Sequence, residues 1–274
     1  MVRPEYSSPP EIFYNEDEAK KYVRNSRIRD IQSQMTERAL ELLVLPESPC
    51  LLLDIGCGSG ISGMTLNESD HFWIGIDISI HMIKAGLQNE AHHGGDMILA
   101  DMGKLMKFQP CIFDGVVSIS ALQWLCNWDK KDENPKVRIS TFFKWLYNCM
   151  KRGARAVFQF YPDSAEQIET LTSFAMKAGF GGGVVVDFPN SAKSKKYYLC
   201  LWTGSALVSH LPEPLEDEEH NDIATTNRRH NKKTKKQIKK NKEWILKKKN
   251  QRRMKGLDVK RDSKYTGRKR KGKF

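Results

Sequence analysis

The chain has 274 residues, 39% of them hydrophobic, and a formal net charge of +12 at pH 7. That length accommodates one full α/β domain with appendages. No apolar run approaches the roughly 20 residues of a spanning helix, and the N-terminus opens no secretory h-region, so the expectation is a soluble protein of the cytosol or nucleus with no membrane role. The charge is unevenly placed: residues 221–274 hold 23 Lys and Arg against 4 Asp and Glu, a net +19 that leaves −7 on residues 1–220. A block so cationic cannot bury enough apolar surface to offset its ordering entropy and is expected to be disordered by itself. The six cysteines show no two-residue separation typical of a zinc or redox pair and read as reduced thiols.

In chain order, residues 1–15 are Pro-rich and polar and read as an extended arm. A single helix is expected from Glu16 to Leu45, with Ile31, Met35, Ala39, Leu42 and Leu43 at helical spacing. Strand-like and helix-like segments then alternate, as in a parallel α/β sheet. Strands are expected at Leu51–Ile55, His71–Asp77, Asp96–Ala100, Phe113–Ser120 and Ala154–Tyr161. The helices between them lie after the glycines that follow Ile55, at Ser79–Asn89 and at Thr141–Met150. Ser164–Ala178 reads as a helix capped by Ser164 and ended by Gly179. Two strands follow without a helix between them, Gly183–Phe188 and Lys196–Trp202, which predicts a terminal antiparallel hairpin. The domains are a 1–45 arm and lid helix, a 46–204 core, a 205–225 acidic linker and a 226–274 basic tail.

The strongest local signal is Asp54-Ile55-Gly56-Cys57-Gly58-Ser59-Gly60 at the end of a buried strand. Glycines there permit a tight turn and close approach to a ligand, and the helix they open offers unpaired N–H groups. About twenty residues on, Asp77 ends the second strand where a carboxylate can accept both ribose hydroxyls, with Ile78 after it. Asp101 ends the third strand, beside Met102, where an adenine amino group would lie. The dinucleotide fingerprint spaces its glycines G-x-G-x-x-G, whereas Gly56, Gly58 and Gly60 alternate and follow the acidic Asp54. That acid disfavours a phosphate and suits the cationic amine and sulfonium of S-adenosyl-L-methionine. The expected fold is therefore a class I methyltransferase: Rossmann-like, with a mostly parallel seven-stranded sheet, a terminal antiparallel hairpin and a disordered basic tail.

The fourth strand carries Ser118 and leads into Ser120-Ala121-Leu122-Gln123-Trp124-Leu125-Cys126-Asn127. Ligands of open α/β sheets bind outside the carboxyl ends of the strands, so Ser120, Gln123, Trp124 and Asn127 are the candidates for positioning a substrate. Gln123 and Asn127 can present amides to a base edge, although one of them can equally cap or pack, and Trp124 either stacks on a base or belongs to the core. The segment offers no His, Asp, Glu or Lys, so no general base is expected. No metal site is expected either, since His92 and His93 read as loop residues.

These motifs, with Arg3-Pro4-Glu5, Pro9–Tyr14, Tyr22–Arg27, Tyr161-Pro162, Val185–Lys193 and Tyr265–Lys271, resemble the eukaryotic small-subunit rRNA (guanine-N7)-methyltransferases, the Williams–Beuren-region ribosome-biogenesis family. The resemblance spans nearly the whole chain except the linker, which is shorter and differently composed. It implies methylation of one guanine at N7 in 18S rRNA within pre-40S particles. It also implies a small zinc-binding activator subunit that adds a strand at the sheet edge, here Asp96–Ala100, whose bare Met97-Ile98-Leu99 favours a partner. Tyr22–Arg27 is similar to the family's lid, with Arg24 or Arg27 pairing with the cofactor carboxylate. In the tail, cations interleave with Ile238, Trp244, Ile245, Leu246 and Met254, a pattern suited to folding on RNA, and Arg268–Lys271 reads as a nuclear import signal. The implied location is the nucleus, in nucleolus and nucleoplasm, with the cytoplasm as a second site. Two other readings stay open: a nuclear methyltransferase of a protein or small molecule, and an assembly factor whose role is mainly non-catalytic.

Overall fold

In a computed structural model, residues 3–89, 94–128, 133–191, 194–204 and 211–216 are described, together with 246, 249, 261 and 262. His92, His93 and the tail residues Ile238, Trp244, Ile245, Met254 and 268–271 lie outside them. The chain divides into two units, Met1–Glu219 and His220–Phe274.

Helices α1 (Pro10–Phe13), α2 (Glu16–Arg24) and α3 (Ser26–Leu43) precede β1 (Leu51–Ile55) and α4 (Ile61–Glu68). Then come β2 (Phe72–Asp77), α5 (Ile80–Gln88), β3 (Gly95–Leu99), β4 (Phe113–Ile119), α6 (Pro135–Cys149), β5 (Met150–Phe160), α7 (Ala165–Lys177), β6 (Gly181–Asp187) and β7 (Lys196–Trp202). The seven strands form one sheet in the order β3-β2-β1-β4-β5-β7-β6. The first five run parallel, and β7 pairs antiparallel with both β5 and β6. The reversal of order between β1 and β4 is the switch point at which α/β sheets bind ligands.

Side chains alternate across the strands and so build two cores. Leu53, Ile55, Phe142, Phe143, Leu146 and Phe158 fill one face beneath α6 and α7. Leu52, Trp73, Leu42, Leu43 and Leu66 fill the other beneath α3 and α4.

The structure departs from the sequence reading in several places, among them the start of β5 at Met150 rather than Ala154. The expected Glu16–Leu45 helix is broken at Asn25, which adopts an extended conformation (φ −81°, ψ 100°) and accepts the Ile28 amide on its side chain. An Asn that offers the backbone this local bond stops one helix and starts the next. The arm is not simply extended, because Pro4–Tyr6 form a 3₁₀ turn and Pro10–Phe13 a helical turn. Helix α6 begins earlier than expected, at Pro135 after an Asn134 cap. Strand β6 starts at Gly181: a Cβ on Gly181 would come within 2.4 Å of the Trp202 indole, and one on Gly182 (φ +141°) within 2.1 Å of the Cys200 carbonyl.

Part of the expected linker, 211–216, is docked. Leu215 N donates to Asp187 Oδ1 at 2.9 Å, and its carbonyl accepts the Phe188 amide at 2.8 Å. Arg38 of α3 pairs with the same buried Asp187 at 2.9 Å. Among the described residues no helix is long and apolar enough to cross a membrane, and no cluster of three metal-ligating side chains occurs.

Candidate functional site

The carboxyl ends of β1, β2 and β4 open into a cleft of about 500 Å³, within the size range of small-molecule and cofactor sites. Its floor is the glycine loop after β1. Gly56 (φ +71°) lies so close to the segment after β4 that a Cβ would fall 2.3 Å from the Ala121 Cβ. Gly58 (φ +54°) turns its N–H onto Asp77 Oδ2 at 2.8 Å, and Ser79 N donates to Asp77 Oδ1 at 2.8 Å. Burial pushes the Asp77 carboxyl up, while the amides of Ser79, Gly58 and Ile78 pull it back. Asp77 therefore holds the loop and still lines the cleft.

One strand further out, Asp101 is gripped bidentately by Arg138 of α6, at 2.9 Å on Oδ1 and 3.0 Å on Oδ2. Its Oδ1 also accepts Gly103 N at 2.8 Å. Arg138 bonds Glu133 as well, and both Asp101 and Arg138 line the cleft. An Arg fork on a carboxylate fixes the orientation of both groups.

The N-terminal arm forms the roof. Arg3 donates to the Tyr161 and Pro162 carbonyls at 3.3 Å, and Asn127 Nδ2 donates to the Glu5 carbonyl at 2.8 Å. The Tyr14 carbonyl accepts the Ser79 hydroxyl at 2.8 Å. Tyr14 packs against Trp124 with ring centroids 5.9 Å apart, and Tyr22 packs against Tyr14 at 6.2 Å. Burial drives the Tyr14 hydroxyl up to about 12 and that of Tyr22 higher still.

Of the residues singled out from the sequence, Gly56, Gly58, Asp77, Ile78, Asp101, Met102, Ser120, Gln123 and Trp124 line this one cleft. Five others do not. Asp54 is fully buried on the α4 side of β1, where its Oδ2 accepts the Ser62 hydroxyl at 2.5 Å. Strand alternation puts it there, on the same face as Leu52. Gly60 (φ +78°) caps α4, and Ser118 is spent on the Ile55 carbonyl at 2.8 Å. Asn127 ties down the arm rather than facing the cleft. Arg24, like Arg27, is exposed, and neither is among the residues lining the cleft. Trp124, at 6% exposed, is mostly core and offers the cleft only part of its surface.

The fold also brings in Glu5, Tyr14, Ser59, Arg138 and Tyr161, to which the sequence assigned no such place, and Tyr22 of the expected lid. Two buried polar atoms in the lining have no protein partner, Ser59 Oγ and Gln123 Oε1. Buried polar groups normally find partners, so both are suited to a ligand.

Comparison with known proteins supplies the family. The family model described as "Methyltransferase involved in Williams-Beuren syndrome" matches residues 201–272, and a methyltransferase-domain model matches 46–174. The 18S rRNA (guanine-N(7))-methyltransferase of Mus musculus is 53% identical over 99% of this chain and 98% of its own. The 18S rRNA (guanine(1575)-N(7))-methyltransferase of Saccharomyces cerevisiae is 45% identical over the full length of both. Among solved structures, magnesium protoporphyrin IX methyltransferase from Synechocystis aligns at TM-score 0.54 and 16% identity, over 74% of this chain and 99% of that one. Phosphoethanolamine N-methyltransferase 2 of Haemonchus contortus aligns at TM-score 0.54 and 14% identity, over 75% and 61%. These two show the shared class I methyltransferase fold. With relatives this similar over their whole lengths, the chain belongs to the family of 18S rRNA (guanine-N7)-methyltransferases.

Proposed function

We propose that the cleft transfers a methyl group from S-adenosyl-L-methionine to N7 of a guanine in 18S rRNA, during assembly of the small ribosomal subunit. The observation that carries the reading is the convergence of Asp77, Asp101, Gln123 and Trp124, from three different strand ends, on one cleft floored by Gly56 and Gly58. Asp77 is suited to ribose hydroxyls and Asp101, with Ile78 and Met102, to an adenine. The unpartnered Ser59 hydroxyl and the close-passing glycine backbone leave room for the remainder. When bound, the cofactor supplies an electrophilic methyl on sulfur.

Guanine N7 carries a free lone pair and has no proton to lose, so this chain needs no base. The cleft hydroxyls agree with that, since Tyr14 is held at about 12 and stays protonated at neutral pH. The protein's part is alignment, an effect capable of supplying roughly 7–11 kcal/mol. Gln123, whose Nε2 is fixed on the Ser120 carbonyl at 2.9 Å, and Ser120, held by Gln159 at 2.8 Å, supply rigid polar edges for the base.

Two further parts of the reading concern the surroundings. The apolar edge β3, with Ile98 39% and Leu99 53% exposed, suits strand addition by a small zinc-binding activator subunit. An rRNA substrate and a basic C-terminal segment support a nuclear location, including the nucleolus. The test is to map N7-methylguanine in 18S rRNA from cells with the protein, without it, and with an Asp77→Ala variant. One modified guanine should vanish in the last two. Its persistence without the protein would refute the assignment.

A further inference from the structure

The cleft holds a carboxylate that neither cofactor binding nor fold stability accounts for. Glu5 sits in the 3₁₀ turn Pro4–Tyr6 with its side chain only 9% exposed. Its backbone is fixed, because Asn127 Nδ2 donates to its carbonyl at 2.8 Å. Its carboxylate lines the cleft, and among the described residues no donor hydrogen-bonds it. The nearest cation, Arg3, lies at 3.9 Å and spends its guanidinium on the carbonyls of Tyr161 and Pro162. With only this long ion pair to Arg3, the carboxylate keeps acceptor capacity for a ligand that brings N–H donors.

A second acceptor in the same cleft is also free. Gln123 commits its Nε2 to Ser120, which leaves Oε1 buried and unpartnered. Two acceptors without donors call for a ligand edge rich in N–H.

Topology says which ligand. Asn127 follows β4 and Tyr161 follows β5, so the arm is pinned over the β4–β5 side of the sheet. The acids suited to the cofactor, Asp77 and Asp101, end β2 and follow β3. In the order β3-β2-β1-β4-β5, strand β4 stands two places from β2, or roughly 10 Å at the usual strand spacing. The backbone of Glu5 is therefore anchored on the substrate half of the cleft.

We infer that Glu5 selects guanine by accepting its N1–H and exocyclic N2–H₂ at the Watson–Crick edge, with Gln123 Oε1 as an auxiliary acceptor. Single-stranded bases are read along that edge. Adenine would present a lone pair at N1, where guanine presents a proton, and would be repelled. N7 lies on the opposite, Hoogsteen side of the purine, so this grip leaves the reacting atom open toward the methyl group.

The inference rests on the guanine-N7 reading above, and its test separates the two. The full-length protein and its Glu5→Gln variant are isolated from cells that express them, so that bound subunits are retained. Each is assayed on an rRNA fragment carrying either guanine or inosine at the acceptor position. Inosine keeps N7 and N1–H and lacks only the N2 amino group. The unaltered protein should lose about tenfold to a hundredfold in kcat/KM on inosine, as expected for one hydrogen bond to a charged group. Glu5→Gln should lose activity on guanine, and its guanine-to-inosine ratio should collapse toward one. Its cofactor affinity by calorimetry should stay within twofold.

An unaltered protein indifferent to inosine would overturn the assignment. So would a variant that loses equally on both RNAs, as a merely structural residue would. A tenfold loss of cofactor affinity with the ratio preserved would instead make Glu5 a partner of the cofactor's ammonium. Absence of any N7-methylguanine with the unaltered protein on the guanine RNA would remove the underlying reading itself.

Discussion

Alternation along β1 decides the chemistry of Asp54. Pointing under α4 rather than into the cleft, its carboxyl is pushed up to about 7 by burial; the Ser62 hydroxyl counters that, and the neighbouring Asp77 adds to it. A carboxyl raised in the folded state holds a proton that the unfolded chain has already released. Its contribution to stability is therefore present below the ordinary carboxylate range and is lost as pH rises to about 7. At roughly 1.36 kcal/mol per unit, the upper bound is about 4 kcal/mol. Asp54→Asn, which still accepts the Ser62 hydroxyl, should abolish this dependence. Between pH 5 and pH 8 the melting temperature of the cofactor-free protein should fall by several degrees more than that of the variant. Parallel curves would show that Asp54 does not titrate there. The glycines and acids Gly56, Gly58, Asp77 and Asp101 were legible in the sequence as residues of one cleft, because their place follows from spacing to strand ends. Glu5 and Arg138 were not, because they reach the cleft through partners 122 and 37 residues away. Asp54 was legible as an acid but not in its direction, which depends on which face of β1 packs under α4.

The elements were read well wherever hydrophobic period and chain stops agreed. The terminal hairpin is one case: between Asp187 and Lys196 there is no room for a crossover helix, so β7 must return antiparallel. The break at Asn25 is the opposite case. Apolar positions keep their helical spacing on both sides of it, and only the side-chain bond to Ile28 reveals the stop. Strand β3 carries the prediction at this scale. Among the described residues it is the last strand of the sheet and pairs only with β2, and it carries the exposed Ile98 and Leu99. Such an edge invites another strand, and lysine is the usual means of closing it. Ile98→Lys should abolish co-purification of a small subunit from native cells. The lone chain should still fold, because that side chain is already 39% exposed. A variant that retains its companion, or an unaltered protein that has none, would rule out strand addition at β3.

For the whole molecule, the controlling fact is the division of charge. Residues 1–220 carry −7 and residues 221–274 carry +19, so an anionic body that surrounds the cleft is joined to a segment able to neutralise phosphates. The body alone should approach rRNA poorly, since its net charge has the same sign as the substrate. We propose that the C-terminal segment supplies the attraction, with Trp244 available to stack, while the cleft supplies the selection. Phosphate contacts position a protein and base contacts specify the site, so the two contributions can be removed separately. Deleting residues 226–274 should leave cofactor affinity unchanged, since the residues described as lining the cleft all belong to the Met1–Glu219 unit. RNA affinity should fall, and its salt dependence should flatten. If the segment neutralises about six phosphates, the slope of log K against log salt on single-stranded RNA should drop by about four units, at ~0.7 per contact. The preference for guanine over inosine should survive in the truncated protein, because it resides at Glu5 in the body. An unchanged salt slope with loss of nuclear accumulation would make the segment an address alone. Loss of the base preference together with the slope would place recognition of the base in the segment as well.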